Sequence, residues 1–109
     1  MTPEEALALV MQEGLGADGL VAVVWRGEDP GPDRVWRARD ALRVVFTHLE
    51  GRDTLDRELC VALYRLAGLH ADVYLRALEQ GPVRRELLEN ELPALSLAAE
   101  SVFNDAWEQ

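Results

Sequence analysis

The sequence predicts an all-α protein: a compact bundle of five or six helices around a central apolar helix at about 53–67, with residues 1–109 forming a single helical domain. Three observations predict it. Apolar residues recur at three- and four-residue spacing through most of the chain, which is the period of an amphipathic helix. Helix start and stop residues punctuate those same stretches. Only residues 18–26 have strand character, and a strand with no second strand to pair with forms no sheet. Composition agrees, since 49% of the 109 residues are hydrophobic and 28% are charged, the balance of a globular chain. A chain of this length buries roughly two-thirds of its unfolded surface, enough for one core.

The elements follow in order. Thr2-Pro3-Glu4-Glu5 is a capping box with proline at the first helical position. The helix it opens is expected to stop before Gly14. Residues 18–26 contain Val21, Val23, Val24 and Trp25; without a partner strand they are read as a short buried helix. Glu28-Asp29-Pro30-Gly31-Pro32 is a loop, because two prolines and a glycine extend neither a helix nor a ladder. Pro32 opens a helix to about Glu50, with Val35, Ala38, Leu42, Val45, Phe46 and Leu49 within a ~100° arc.

Gly51 is expected to stop that helix and Asp53 to cap the next, which runs to Ala67. Apolar residues surround the Leu55–Ala67 stretch almost completely, with Val61 and Tyr64 opposite Leu55, Leu59 and Leu66. A helix apolar on nearly all sides belongs at the centre. Gly68 is read as its stop, and a short helix follows over His70–Gln80. Gly81-Pro82 breaks the chain again. The last helix carries a seam of Leu88, Leu92, Leu95, Ala99, Val102 and Ala106, with a kink or break expected at Pro93.

The net charge is −9, which argues against nucleic acid or an anionic membrane as the partner. The longest apolar runs, Ala6–Met11 and Leu20–Trp25, are too short for a membrane span or a signal-peptide core. One cysteine, Cys60, allows no internal disulfide. These features point to a cytoplasmic protein.

Several motifs have an ordinary structural explanation. Gly14-Leu15-Gly16-Ala17-Asp18-Gly19 matches a dinucleotide fingerprint in spelling. That chemistry needs a strand before the glycines, and here a helix precedes them. His48 and His70 read as a helix-terminal and a packed residue, since a metal needs three or four converging ligands. Cys60 sits among apolar residues, where a thiol is inert.

Two readings other than protein binding follow from spacing. Asp53/Asp56 and Glu86/Glu89 are acidic pairs three residues apart. Brought together they would hold Mg²⁺ for phosphate chemistry, as in helical nucleotide pyrophosphohydrolases. Residues 60–78 have helix-turn-helix spacing about Gly68, but the second helix exposes Asp72, Arg76 and Glu79, a net negative set for a DNA reader.

The favoured reading is a small acidic protein-binding module, an adaptor or regulator without catalytic activity and without a cofactor. Its partner is a protein, either another chain or a second copy in a homodimer. The candidate interface is the outward side of the 32–50 helix: Trp36, Arg37, Arg39, Arg43 and Val44. Trp36 lies ~130° from the centre of the apolar arc, and a tryptophan among arginines has interface-anchor chemistry. Residues 34–43 hold four arginines against Asp40, while 86–109 hold six acids and no base. A two-fold dimer would set one segment against the other twice.

Overall fold

In the computed structural model the described residues are 1–80 and 83–107, with side chains described outside 77–80. All regular structure among them is helical. Helix α1 spans Pro3–Leu15, α2 Leu20–Trp25, α3 Pro32–Leu49 and α4 Arg57–Gln80. A π-helical turn, Leu87–Glu91, leads into α5, Leu92–Asn104. Four of these helices are three turns or longer and make up the bundle, in place of the expected five or six, because residues 57–80 form one helix and α2 is a short helix of six residues.

The start of α1 is the expected capping box. The Glu5 N–H donates to Thr2 Oγ1 at 3.1 Å, and the Thr2 N–H donates to Glu5 Oε1 at 3.2 Å. The bond from the Thr2 N–H foremost, with the Thr2 hydroxyl second, holds the Glu5 carboxyl below its ordinary range. The helix does not stop before Gly14. It continues to Leu15 because Gly14 is where α1 meets α4. A Cβ on Gly14 would lie 2.8 Å from the Cα of Ala62, so its missing side chain permits close approach rather than a helix exit. Pro3–Trp25 as a whole is long and apolar enough to cross a membrane by length and composition, but Gly16–Gly19 folds it into two helices that pack in the bundle.

The largest correction concerns 53–80. Asp53 caps nothing. Asp56 does, accepting from the Glu58 N–H at 2.9 Å, so α4 begins at Arg57. Gly68 stops nothing either, and α4 runs through it without a turn to Gln80. The expected separate His70–Gln80 helix is the second half of α4, and His70 is mid-helix. Glycine in a helix interior costs about 1 kcal/mol relative to alanine. Leu66, Leu69 and Val73 are all buried on the inner face around it, and each such side chain contributes about 1.5–3 kcal/mol.

The expected central position of the 53–67 helix is also corrected. Helices α1 and α5 each pack on both α3 and α4, so α3 and α4 form the two sides of the bundle. The core is one cluster built from Ala6 and Val10 of α1, Leu20 and Val24 of α2, Val35 to Phe46 of α3, Leu59 to Val73 of α4, and Leu92 to Val102 of α5. The apolar arc of α3 is buried as its periodicity predicts, with Leu49 half-buried at its end.

Pro93 marks a real discontinuity. The Leu92 N–H donates to the Leu87 carbonyl, five residues back, and α5 starts with proline in its first turn. The seam of α5 is buried at Leu92, Leu95, Ala99 and Val102. Ala106 lies beyond the helix, because Asp105 turns the chain at φ 52° and its carboxylate accepts from the Gly51 N–H at 3.1 and 3.2 Å.

Candidate interaction surfaces

The Trp36 side of α3 is partly open. Trp36 is 40% exposed, Arg37 and Arg43 are exposed, and Arg39 and Val44 are half-buried. Two of the arginines already have aromatic neighbours in their own chain. The Arg43 guanidinium lies 4.5 Å from the Trp107 ring centroid and 5.5 Å from that of Phe46, and Arg39 lies 5.7 Å from Trp107. Trp107 in turn packs on Phe46 at 5.6 Å. Trp107, set beside two cations and a core phenylalanine, holds the stretch that follows α5 against α3. Trp36 and Arg37 remain as the open part of the predicted face.

Arg34 is not on that face. Its Nε and Nη2 donate to Glu13 at 2.9 and 2.7 Å, and Nη2 also donates to the Asp18 carbonyl at 2.7 Å. The Glu13 bonds, opposed by burial, push its guanidinium pKa up. Glu13 is 4% exposed and also accepts from the Leu20 N–H at 3.2 Å. An open cleft of about 440 Å³ runs beside this pair, lined by Leu9, Glu13, Asp33, Arg34 and Arg37.

The acidic C-terminal segment is similarly engaged. Arg84 donates to both carboxylate oxygens of buried Glu91 at 2.6 Å, and to both oxygens of Asp29. Glu91 first and Asp29 second drive its pKa far above the usual guanidinium value. Glu89 accepts from Arg85 at 3.0 Å, and Glu86 from Asn90 at 2.8 Å. Asp105 serves the Gly51 backbone. The charges that suggested a two-fold pairing of 34–43 with 86–109 therefore largely have partners within one chain.

Asp56 is a helix cap and Glu86 and Glu89 belong to local pairs, and no group of three or more His, Cys, Asp or Glu side chains placed to share a metal ion occurs among the described residues. The helix-turn-helix spacing lacks its turn, since α4 is continuous through Gly68.

A second surface was not anticipated. The outer side of α4 exposes Val61, Tyr64 and Leu75, the last two at 75% and 61%. Gly68 and Ala71 are exposed between them. Trp25 of α2 borders the row at Leu75. Its carbonyl accepts from Arg76 Nη1 at 2.5 Å, and its ring lies 5.9 Å from the same guanidinium. Trp25, Asp72, Leu75 and Arg76 line a shallow depression of about 350 Å³. Its sequence signal is the 3-4-3-4 spacing of positions 61, 64, 68, 71 and 75, which a helix stop at Gly68 divides.

No family model matches the chain, and no curated protein or solved structure matches it significantly.

Proposed function

We propose that this chain is a small acidic protein-binding module, an adaptor or regulator that acts in the cytoplasm by presenting helix faces rather than by catalysis. The observation that carries this reading is the exposed row Val61, Tyr64, Gly68, Ala71 and Leu75 on the outer face of α4, with Tyr64 and Leu75 both mostly exposed and Trp25 beside Leu75. Scattered apolar residues on a surface are ordinary, but a contiguous row is typical of an interaction site. Trp36 and Arg37 on α3, with Arg39, Arg43 and Val44 around them, form a second candidate contact on the opposite side of the bundle. The internal pairing of Arg34, Arg39 and Arg43 narrows that contact to its tryptophan end.

The test is photo-crosslinking in the native host. Tyr64→p-benzoylphenylalanine and Trp36→p-benzoylphenylalanine are compared with the same replacement at Glu100, an exposed position on neither face. Protein adducts, to this chain or another, are expected at position 64 or 36 and not at 100. Absence of protein adducts at both faces overturns the reading.

A further inference from the structure

We infer that the outer face of α4 is the seam of an antiparallel homodimer, in which two copies of this helix pair about a two-fold axis passing between Leu69 and His70. This rests on the protein-binding reading above and assigns its partner as a second copy of the chain.

Four observations lead there. The first is spacing. Val61, Tyr64, Gly68, Ala71 and Leu75 are exposed and fall at alternate three- and four-residue steps, the a/d repeat of a two-helix seam. The inner face of the same helix, from Leu59 to Val73, is already buried against α1 and α5. Helix α4 thus carries two apolar faces, and only one has a partner within the chain.

The second is Gly68. It lies in the middle of a 24-residue helix, and a Cβ built there meets nothing within 4 Å. Unlike Gly14, it makes room for nothing in its own chain, while it weakens the helix. A second helix crossing closely at this point gives the missing side chain a use.

The third is how the residues match across a two-fold axis. With antiparallel pairing about the stated axis, Gly68 meets the partner's Ala71, and Ala71 meets the partner's Gly68. The centre therefore has two small-on-small layers, where the backbones approach. On either side Tyr64 meets the partner's Leu75. Helices that cross at about 20° separate away from the crossing point, so larger side chains fill the outer layers. At a rise of 1.5 Å per residue α4 is about 36 Å long, close to the 42 Å longest dimension of the molecule, so the seam runs most of its length.

The fourth is charge. Arg65 and Asp72 flank the seam on one side, and neither has an ion-pair partner among the described residues. In the antiparallel register Arg65 faces the partner's Asp72, and Asp72 faces the partner's Arg65. A parallel, in-register pair would set Arg65 beside the partner's Cys60 and Asp72 beside the partner's Ala67, with no complementary charge. The flanking charges thus select the antiparallel arrangement.

Sedimentation equilibrium of the full chain tests this from about 1 μM to about 1 mM. Wild type is expected to form dimers within that range. Arg65→Asp and Asp72→Arg should each weaken association at least ~10-fold, because each reverses one member of both ion pairs. Their equimolar mixture should recover it, since every Arg65–Asp72 contact in that heterodimer again joins opposite charges. Tyr64→Glu should abolish the dimer while the helical circular dichroism at low concentration stays native, Tyr64 being a surface residue. A wild-type monomer at about 1 mM overturns the dimer, and so does a mixture no tighter than the single variants. A wild-type dimer indifferent to Tyr64→Glu also overturns it, by placing self-association on another face. In each of these failures, adducts at position 36, or at 64 to another protein, would leave the protein-binding reading standing.

Discussion

Arg34 reaches from α3 to Glu13 at the end of α1, its Nη2 2.7 Å and its Nε 2.9 Å from the two carboxylate oxygens. The same carboxylate accepts from the backbone N–H of Leu20, the first residue of α2. Gly19, which precedes α2, has no side chain to cap it, so Glu13 supplies the acceptor from another helix. One ion pair therefore ties three helices together across 21 residues of sequence.

Removing one member is expected to be costly. Arg34→Ala leaves Glu13 buried with only the Leu20 N–H, a loss of about 2–4 kcal/mol in urea melts. Water at the outer edge of Arg34 keeps the figure from the top of the range for buried pairs. Replacing the pair with neutral residues, Arg34→Met with Glu13→Gln, should cost less than Arg34→Ala alone, because no buried charge is left unpaired and the glutamine carbonyl still offers the Leu20 N–H an acceptor.

Leu63 is fully buried on the inner face of α4, facing the α1–α5 side of the core. Leu63→Ala should lower stability by about 2–5 kcal/mol through lost transfer energy and the cavity left behind. The midpoint of urea denaturation should fall with little change in slope. A loss below about 0.5 kcal/mol would contradict the burial of this face.

How much of this was legible beforehand depends on where the determining contacts lie. The Thr2–Glu5 box and the Pro32 start are local, and both are where the sequence places them. Gly68 does not act as a stop because the helix beyond it is anchored: Leu69 and Val73 are buried and keep it going by tertiary packing. Leu55–Ala67 is apolar all round, the pattern of a central helix, yet Val61 and Tyr64 of that stretch face outward. The burial of Glu13 and Glu91 depends on Arg34, 21 residues away, and Arg84, seven residues away across the start of the π-helical turn, and neither pairing is announced by a local pattern. The outer α4 row had a readable period, but its exposure is a property of the assembled bundle.

Asp29 provides a pH-dependent term. Hydrogen bonds from Arg84, with a smaller contribution from the Gly31 N–H and with burial opposing, hold its carboxyl below the ordinary value of 3.8. A depressed folded value stabilises the native state above the unfolded value, and that stability is lost as pH falls through the folded one. Asp29 is 42% exposed, so the contribution is at most about 1 kcal/mol. Asp29→Asn should therefore be slightly less stable than wild type near neutral pH. The difference should shrink as pH falls below about 3.8. Urea melts of the pair across that range measure it, and a gap that widens toward acid would reverse the assignment.

Gly14 and Gly68 should respond in opposite directions to the same substitution. At Gly14 an added methyl meets the Ala62 backbone at 2.8–2.9 Å, and backbone inside a packed helix pair has nowhere to move. Gly14→Ala should destabilise by about 1–3 kcal/mol, as overpacking does. At Gly68 the added methyl meets open space, and alanine is the better helix former. Gly68→Ala should stabilise the dilute monomer by about 0.5–1 kcal/mol. At high concentration the same methyl enters the Gly68–Ala71 layer of the inferred dimer and should weaken association. A variant that is more stable as a monomer and poorer as a dimer separates the two roles of one residue. Thermal melts at low concentration, set beside sedimentation at high concentration, measure both. If Gly68→Ala destabilised the dilute monomer, position 68 would be packed within its own chain, and the open face of α4 would be wrong.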